Sequence, residues 1–190
     1  MSRLASRTAA GSAALALLLA LSFAPAAHAQ STTTTHEPDR SFGFRGIGVR
    51  AGLVDPEGAS STITYGAHVD LGEFVPNLRI TPFAEYWSVG VNNADRSDFL
   101  LATNVDWKFP LVGPKVTPYA GAGLGLHFLK ANYPAPLADD SKTRFGLHVQ
   151  GGLVDEVMPN FDIFGELRFT FVDQADNFKL LGGFTYNFIY

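Results

Sequence analysis

From residue 44 onward, apolar side chains recur at every second position. The segment 62–72 shows it most plainly. Ile63, Tyr65, Ala67, Val69 and Leu71 fall on one side, and Thr62, Thr64, Gly66, His68, Asp70 and Gly72 on the other. Successive side chains of a strand point to opposite faces, so this stretch carries one apolar and one polar surface. The same alternation can be phased eight times. It predicts strands at about 44–54, 62–72, 78–89, 98–109, 116–129, 143–154, 161–172 and 178–190. The apolar phase, for example Ile80-x-Pro82-x-Ala84-x-Tyr86 or Phe99-x-Leu101-x-Thr103-x-Val105-x-Trp107, contains no charged side chain in any of the eight. Arg45 extends the first of them at its very start, where a long side chain can reach back to an interface. After the first 29 residues no segment has the 3.6-residue period of an amphipathic helix.

The other phase holds the charges. Arg50, Asp70, Arg79, Glu85, Asp98, Asp106, Lys108, Arg144, Asp162, Glu166, Arg168 and Lys179 fall on it, with His68, His127 and His148. So do many glycines, among them Gly48, Gly66, Gly121, Gly123, Gly146 and Gly183. Glycine weakens a solvent-facing strand and gains nothing there, whereas a crowded, strongly curved barrel interior needs it. The charged, glycine-rich face therefore points inward and the apolar face outward, the arrangement of a transmembrane barrel. Lipid tolerates no open sheet edge, so the sheet must close. The expected fold is all-β, an eight-stranded antiparallel up-and-down transmembrane β-barrel.

Composition agrees and excludes other classes. Charged residues are 17% of the 190, aromatics 13%, and there is no cysteine. Disulfide scaffolds, thiolate metal sites and a lipidated-cysteine anchor are thereby excluded. A formal net charge of −4 argues against nucleic acid as a partner. The N-terminus reads separately. Arg3 and Arg7 precede an apolar run over 9–24 that is short for a membrane span, and Ala27-His28-Ala29 is a small-x-small cleavage site. Residues 1–29 are expected to be a cleaved secretory signal peptide. Residues 30–42 follow as a flexible polar lead, and 43–190 form the barrel.

The C-terminal alternation Phe184-x-Tyr186-x-Phe188-x-Tyr190 looks like the assembly signal of bacterial outer-membrane barrels. The segments Thr81-Pro-Phe-Ala-Glu85, Thr117-Pro-Tyr-Ala-Gly121 and Ile163-Phe-Gly-Glu166 resemble strand openings of small OmpA/OmpX/OmpW-like barrels. The final Tyr stands where such chains usually end in Phe, and with no peptidoglycan-binding domain expected after the barrel an anchoring role is not carried over. The resemblance implies the bacterial outer membrane as location. Its lipids and lipopolysaccharide are the implied surroundings, the barrel-assembly machinery the implied partner during biogenesis, and a monomer the implied state.

An even strand count puts both ends on the periplasmic side. Periplasmic turns are then expected near 73–77, 110–115 and 155–160, and extracellular loops near 55–61, 90–97, 130–142 and 173–177. Inside, six acids face six bases, and a selective ion pathway normally shows an excess of one sign. Unpaired buried charge is costly, so a balanced set should pair and plug the lumen. The expected network comprises Arg50, Asp70, Arg79, Glu85, Asp106, Arg144, Glu166 and Arg168. The alternative is a watery cavity, hence a narrow porin-like channel for small solutes. The outer loops carry a net −4, which beside anionic lipopolysaccharide would favour bridging divalent cations, though Asp139-Asp140 alone is a poor calcium signature. A lipid-modifying enzyme is less favoured. Ser97-Asp98 lies near a rim while His68 and His148 lie mid-strand, out of a base's reach; lipid A deacylases of similar size carry a His two residues before a Ser, a pattern that neither His127-Phe-Leu129 nor His148-Val-Gln150 resembles. No cofactor, metal or catalytic residue is expected.

Overall fold

The computed structural model describes residues 42–91, 94–112, 115–133, 139–173 and 175–188; the expected signal peptide, 1–29, and all but the last residue of the expected lead, 30–42, lie outside these residues. Nine strands follow in order: β1 (Gly46–Pro56), β2 (Thr62–Asp70), β3 (Glu73–Val75), β4 (Leu78–Val91), β5 (Ala94–Lys108), β6 (Val116–Asn132), β7 (Asp140–Met158), β8 (Phe161–Val172) and β9 (Asn177–Asn187). Each long strand pairs antiparallel with its neighbours in the order β2-β1-β9-β8-β7-β6-β5-β4, and a β2–β4 ladder closes the ring. The wall is thus an eight-stranded antiparallel barrel. The ninth strand, β3, is a three-residue ribbon against the start of β4, in a segment expected to be a turn.

The expected face assignment holds in every long strand. Outward residues such as Ile63, Leu101, Leu124, Phe145, Leu147 and Phe171 are exposed, at 65%, 46%, 54%, 57%, 54% and 55%. The buried set is dominated by Arg50, His68, Glu85, Asp106, His148, Glu166, Arg168 and Lys179. Tyr65, Tyr86, Phe99 and Phe128 are successive register partners on β2, β4, β5 and β6 and all face outward. Their rings approach to 5.8 Å in the Tyr65–Tyr86 pair and 6.1 Å in the Phe99–Phe128 pair, cross-strand aromatic contacts on the outer wall.

Strand ends depart from expectation, and local chemistry accounts for two of them. β2 stops at Asp70 because Asp70 Oδ1 accepts the Gly72 amide at 2.7 Å while Gly72 adopts φ 73°, a side-chain-closed turn. The β2–β4 ladder ends at His68↔Phe83, immediately before Pro82, which has no amide hydrogen to continue it. Elsewhere the ladders outrun the alternation. β4 and β5 pair out to Val91↔Ala94, β6 and β7 to Ala131↔Asp140, and β7 continues to Met158. The expected loops 90–97 and 130–142 and the turn 155–160 are correspondingly shorter. Past either end of the apolar alternation nothing demands an apolar phase, yet backbone pairing still satisfies the amides.

A pairing rule runs through the interior. Large inward side chains lie over a glycine of the adjacent strand at the same register: His68 over Gly48, Glu85 over Gly66, His148 over Gly123, and Tyr119 over Gly152. A Cβ on Gly48 or Gly123 would collide with the histidine ring beside it. Close approach, rather than freedom of φ, explains these glycines. Not all glycines obey it. Gly165 faces outward, and a Cβ there would meet nothing within 4 Å.

Candidate functional site

Inward parity on β1, β4, β8 and β9 brings four charged residues to one level of the lumen. Arg168 Nη1 donates to Glu85 Oε1 at 2.7 Å and Lys179 Nζ to Glu85 Oε2 at 2.6 Å, while Arg50 Nη1 reaches Oε1 at 3.4 Å. All four side chains are within 3% of complete burial. Arg168 Nη2 also bonds Glu166 Oε1, and Glu166 accepts the Tyr119 hydroxyl at 2.9 Å. Both guanidinium groups stack on Phe83, with Arg168 4.4 Å and Arg50 4.7 Å from its centroid. A charged group in a low-dielectric interior needs this degree of satisfaction, from ion pairs, hydrogen bonds and an aromatic face together.

A second cluster lies toward the chain-terminal end of the barrel. Arg79 contacts Asp106 at 3.5 Å and Asp70 at 3.9 Å, and Gln150 donates to Asp106. Tyr119 joins the clusters, since its ring lies 5.3 Å from the Arg79 guanidinium while its hydroxyl serves Glu166. Counted together, Arg50, Arg79, Arg168 and Lys179 face Asp70, Glu85, Asp106 and Glu166, four against four. A void lined by Arg50, Asp70, Arg79, Asp106, Tyr119 and Glu166 among others has a volume of about 10 Å³, room for one water.

Toward the opposite end the interior becomes apolar. Val54, Trp87, Leu100 and Val172 are each at most 3% exposed. Beside them the buried His127 Nδ1 and Asp98 Oδ2 are 2.7 Å apart. The other interior histidines also have partners: His68 Nε2 meets Thr185 Oγ1 at 2.8 Å, and His148 Nε2 meets Asn104 Oδ1. Among the described residues no group of three or more His, Cys, Asp or Glu is placed to hold a metal.

One expected network member sits elsewhere. Arg144 is at the mouth, partly exposed, and pairs with Asp173 at 2.9 Å instead of with the interior acids. It lies at the end of the lumen opposite the chain termini, two residues beyond Gly146, where its side chain reaches the β8–β9 connection. Lys108 and Asp162 also fall at an end, bonded to Glu73 and Asn187. The sequence reading left Lys179, Tyr119 and Phe83 out of the network. Lys179 was on the inward phase, and its identity as a network residue follows from the Arg168↔Lys179 register. Phe83 and Trp87 break the expectation of a wholly polar interior. Of the C-terminal aromatics, Phe184 and Tyr186 face outward at 41% and 46% exposure, and Phe188 stacks on Phe44 with centroids 5.2 Å apart; Tyr190 lies outside the described residues.

Solved structures similar to this fold include the following three. Neisserial surface protein A is 19% identical with a TM-score of 0.63, over 76% of this chain and 97% of that one. The N-terminal β-barrel domain of Pseudomonas aeruginosa OprF is 16% identical with a TM-score of 0.54, over 77% and 99%. The attachment invasion locus protein Ail of Yersinia pestis, solved in complex with the heparin analogue sucrose octasulfate, is 16% identical with a TM-score of 0.55, over 78% and 100%. No curated protein matches the chain. The model of the outer membrane protein beta-barrel domain matches residues 13–188, so an apolar outer wall around an ionic interior is here that of a member of this family, a bacterial outer-membrane β-barrel protein.

Proposed function

We propose that this barrel is closed and non-enzymatic, and that it serves the outer membrane as a structural or surface-interaction protein rather than as a pore. The observation that carries this reading is the fully buried Glu85, held at once by Arg168, Lys179 and Arg50. Three cations on one carboxylate bridge β1, β4, β8 and β9 across the lumen. The 10 Å³ void beside them and the apolar layer of Val54, Trp87, Leu100 and Val172 beyond them support the same conclusion. An eight-stranded barrel is just wide enough for its own side chains to fill it. Planar-bilayer recording on the refolded protein tests it. Silence, or rare brief events, is expected; steady openings of porin size would overturn it.

The same reading includes export by a signal peptide over residues 1–29, insertion by the barrel-assembly machinery through Phe184, Tyr186, Phe188 and Tyr190, and a monomeric barrel surrounded by outer-membrane lipid. Mass spectrometry of the protein from outer membranes checks the first, since a mature chain starting at Gln30 is expected.

A further inference from the structure

The mouth of the barrel opposite the chain termini is a cup of about 250 Å³, lined chiefly by Arg96, Lys130, Lys142, Arg144, Asp140 and Asp173. Among the described residues the lining thus holds four cations and two carboxylates, on an end whose connecting segments were expected to be acidic overall. Asp173 pairs with Arg144 and Asp140 with Lys142, both at 2.9 Å, while Arg96 Nη1 donates to the Glu57 carbonyl at 2.9 Å. The ion pairs are exposed: the Lys142 and Asp140 side chains are 51% and 50% accessible and that of Asp173 is 65% accessible. Exposed pairs are worth little and exchange readily for a better anion. Asp95 and Asp139 are the nearest further acids along the chain and do not line the cup. The cup is held by strand ends rather than by one loop, because Arg96, Lys130, Lys142 and Arg144 sit on β5, β6 and β7, whose ladders continue to the rim.

We propose that this cup binds a phosphorylated sugar. Arg96, Lys142 and Arg144 stand on the inward phase of β5 and β7 at this rim, and a phosphate monoester accepts charge-assisted hydrogen bonds from several such groups at once. A concave site with an excess of one sign, here four cations to two carboxylates, focuses the field and concentrates anions, even on a protein of negative net charge. The volume exceeds what a bare phosphate needs and leaves room for the sugar, against which Tyr133, also in the lining, offers an aromatic face. The ligand comes either from an outer-leaflet glycolipid headgroup or from solution, and the chemistry of recognition is the same. The proposal deepens the surface-interaction role and rests on this end facing outward.

The Arg96 guanidinium lies 6.0 Å from the Trp87 ring, so an occupant that draws Arg96 changes the surroundings of that indole. In a Trp107→Phe background Trp87 is the sole tryptophan. Refolded full-length protein in zwitterionic micelles is titrated with glucose 1,6-bisphosphate, and with glucose as the neutral control. Parallel samples in phosphatidylcholine nanodiscs are compared with and without diphosphoryl lipid A. A saturable emission change with either phosphorylated probe and none with glucose is expected, and the probe that acts identifies the source. Lys142→Gln/Arg144→Gln should weaken it at least about tenfold, and Asp140→Asn, which removes a competing acid, should tighten it. No change with either probe, an equal change with glucose, or full binding by the double variant in its folded, heat-modifiable form would overturn the site. Micelles expose both ends, so this result stands apart from orientation, which impermeant labelling of a Cys placed at Asp140 on intact cells tests by itself.

Discussion

Glu85→Gln removes the one carboxylate on which three interior cations converge while conserving its volume. At separations of 2.7, 2.6 and 3.4 Å, each pair has a gross attraction of roughly 5–6 kcal/mol at an effective dielectric near 20, most of it offset by desolvation. The relevant quantity is the cost of stranding the partners. Arg168 and Lys179 are both wholly buried, and only Glu166 remains close to the Arg168 guanidinium. Removing one partner of such a cluster costs about 3–5 kcal/mol. Urea unfolding of the barrel in phospholipid vesicles measures this, with the folded fraction read from heat-modifiable gel migration. The exposed pair Lys142–Asp140 is the internal control, and Asp140→Asn should cost about 0–1 kcal/mol. Lys179→Met combined with Glu85→Gln should cost less than the sum of the two singles, with a coupling of about 1–3 kcal/mol. If Glu85→Gln costs no more than Asp140→Asn, or if the two sites are additive, the interior is wet and the network carries no structural weight.

Two further perturbations separate the faces of the wall. Gly146→Ala would place a Cβ 2.7 Å from both His127 Nε2 and Val172 Cγ2, so it should cost about 1–3 kcal/mol in the same unfolding assay. Gly165→Ala, whose new methyl meets nothing within 4 Å, should be neutral or stabilising by up to about 1 kcal/mol. Leu124→Arg on the middle of β6, 54% exposed, should cost about 2–4 kcal/mol in a bilayer, whereas Val112→Arg in the β5–β6 connection should fall within about 1 kcal/mol. Equal costs for the two arginines would mean that the wall does not face hydrocarbon.

Period two made the strands and their faces readable from the chain alone, because a face that meets lipid excludes every charge while its neighbour collects them. The sequence does not display which inward residues touch. Arg50, Glu85, Arg168 and Lys179 lie on four strands, and only the closed ring with its register brings them level. Arg144 shows the limit: parity placed it inward correctly, but parity carries no height, and this residue stands at the mouth beside Asp173. Phe83, Tyr119 and Trp87 were obscured for a related reason. An aromatic on a polar phase reads as an exception until a guanidinium is seen stacked on it or an apolar layer is seen to include it. The glycines were legible as a crowded interior, but not as the register partners of His68, Glu85, His148 and Tyr119.

The two tryptophans sit on opposite faces, and this allows the most direct test of the account. Trp107 faces outward from β5 with 46% of its surface exposed, and Trp87 faces inward from β4 with 1%. Single-tryptophan variants, Trp87→Phe and Trp107→Phe, are refolded into bilayers containing phospholipid brominated on the acyl chains, and emission is compared with unbrominated bilayers. Strong quenching of Trp107 with Trp87 left bright is the predicted result. Quenching of Trp87 with Trp107 spared, or equal quenching of both, would contradict an apolar wall that meets lipid around a sealed ionic interior.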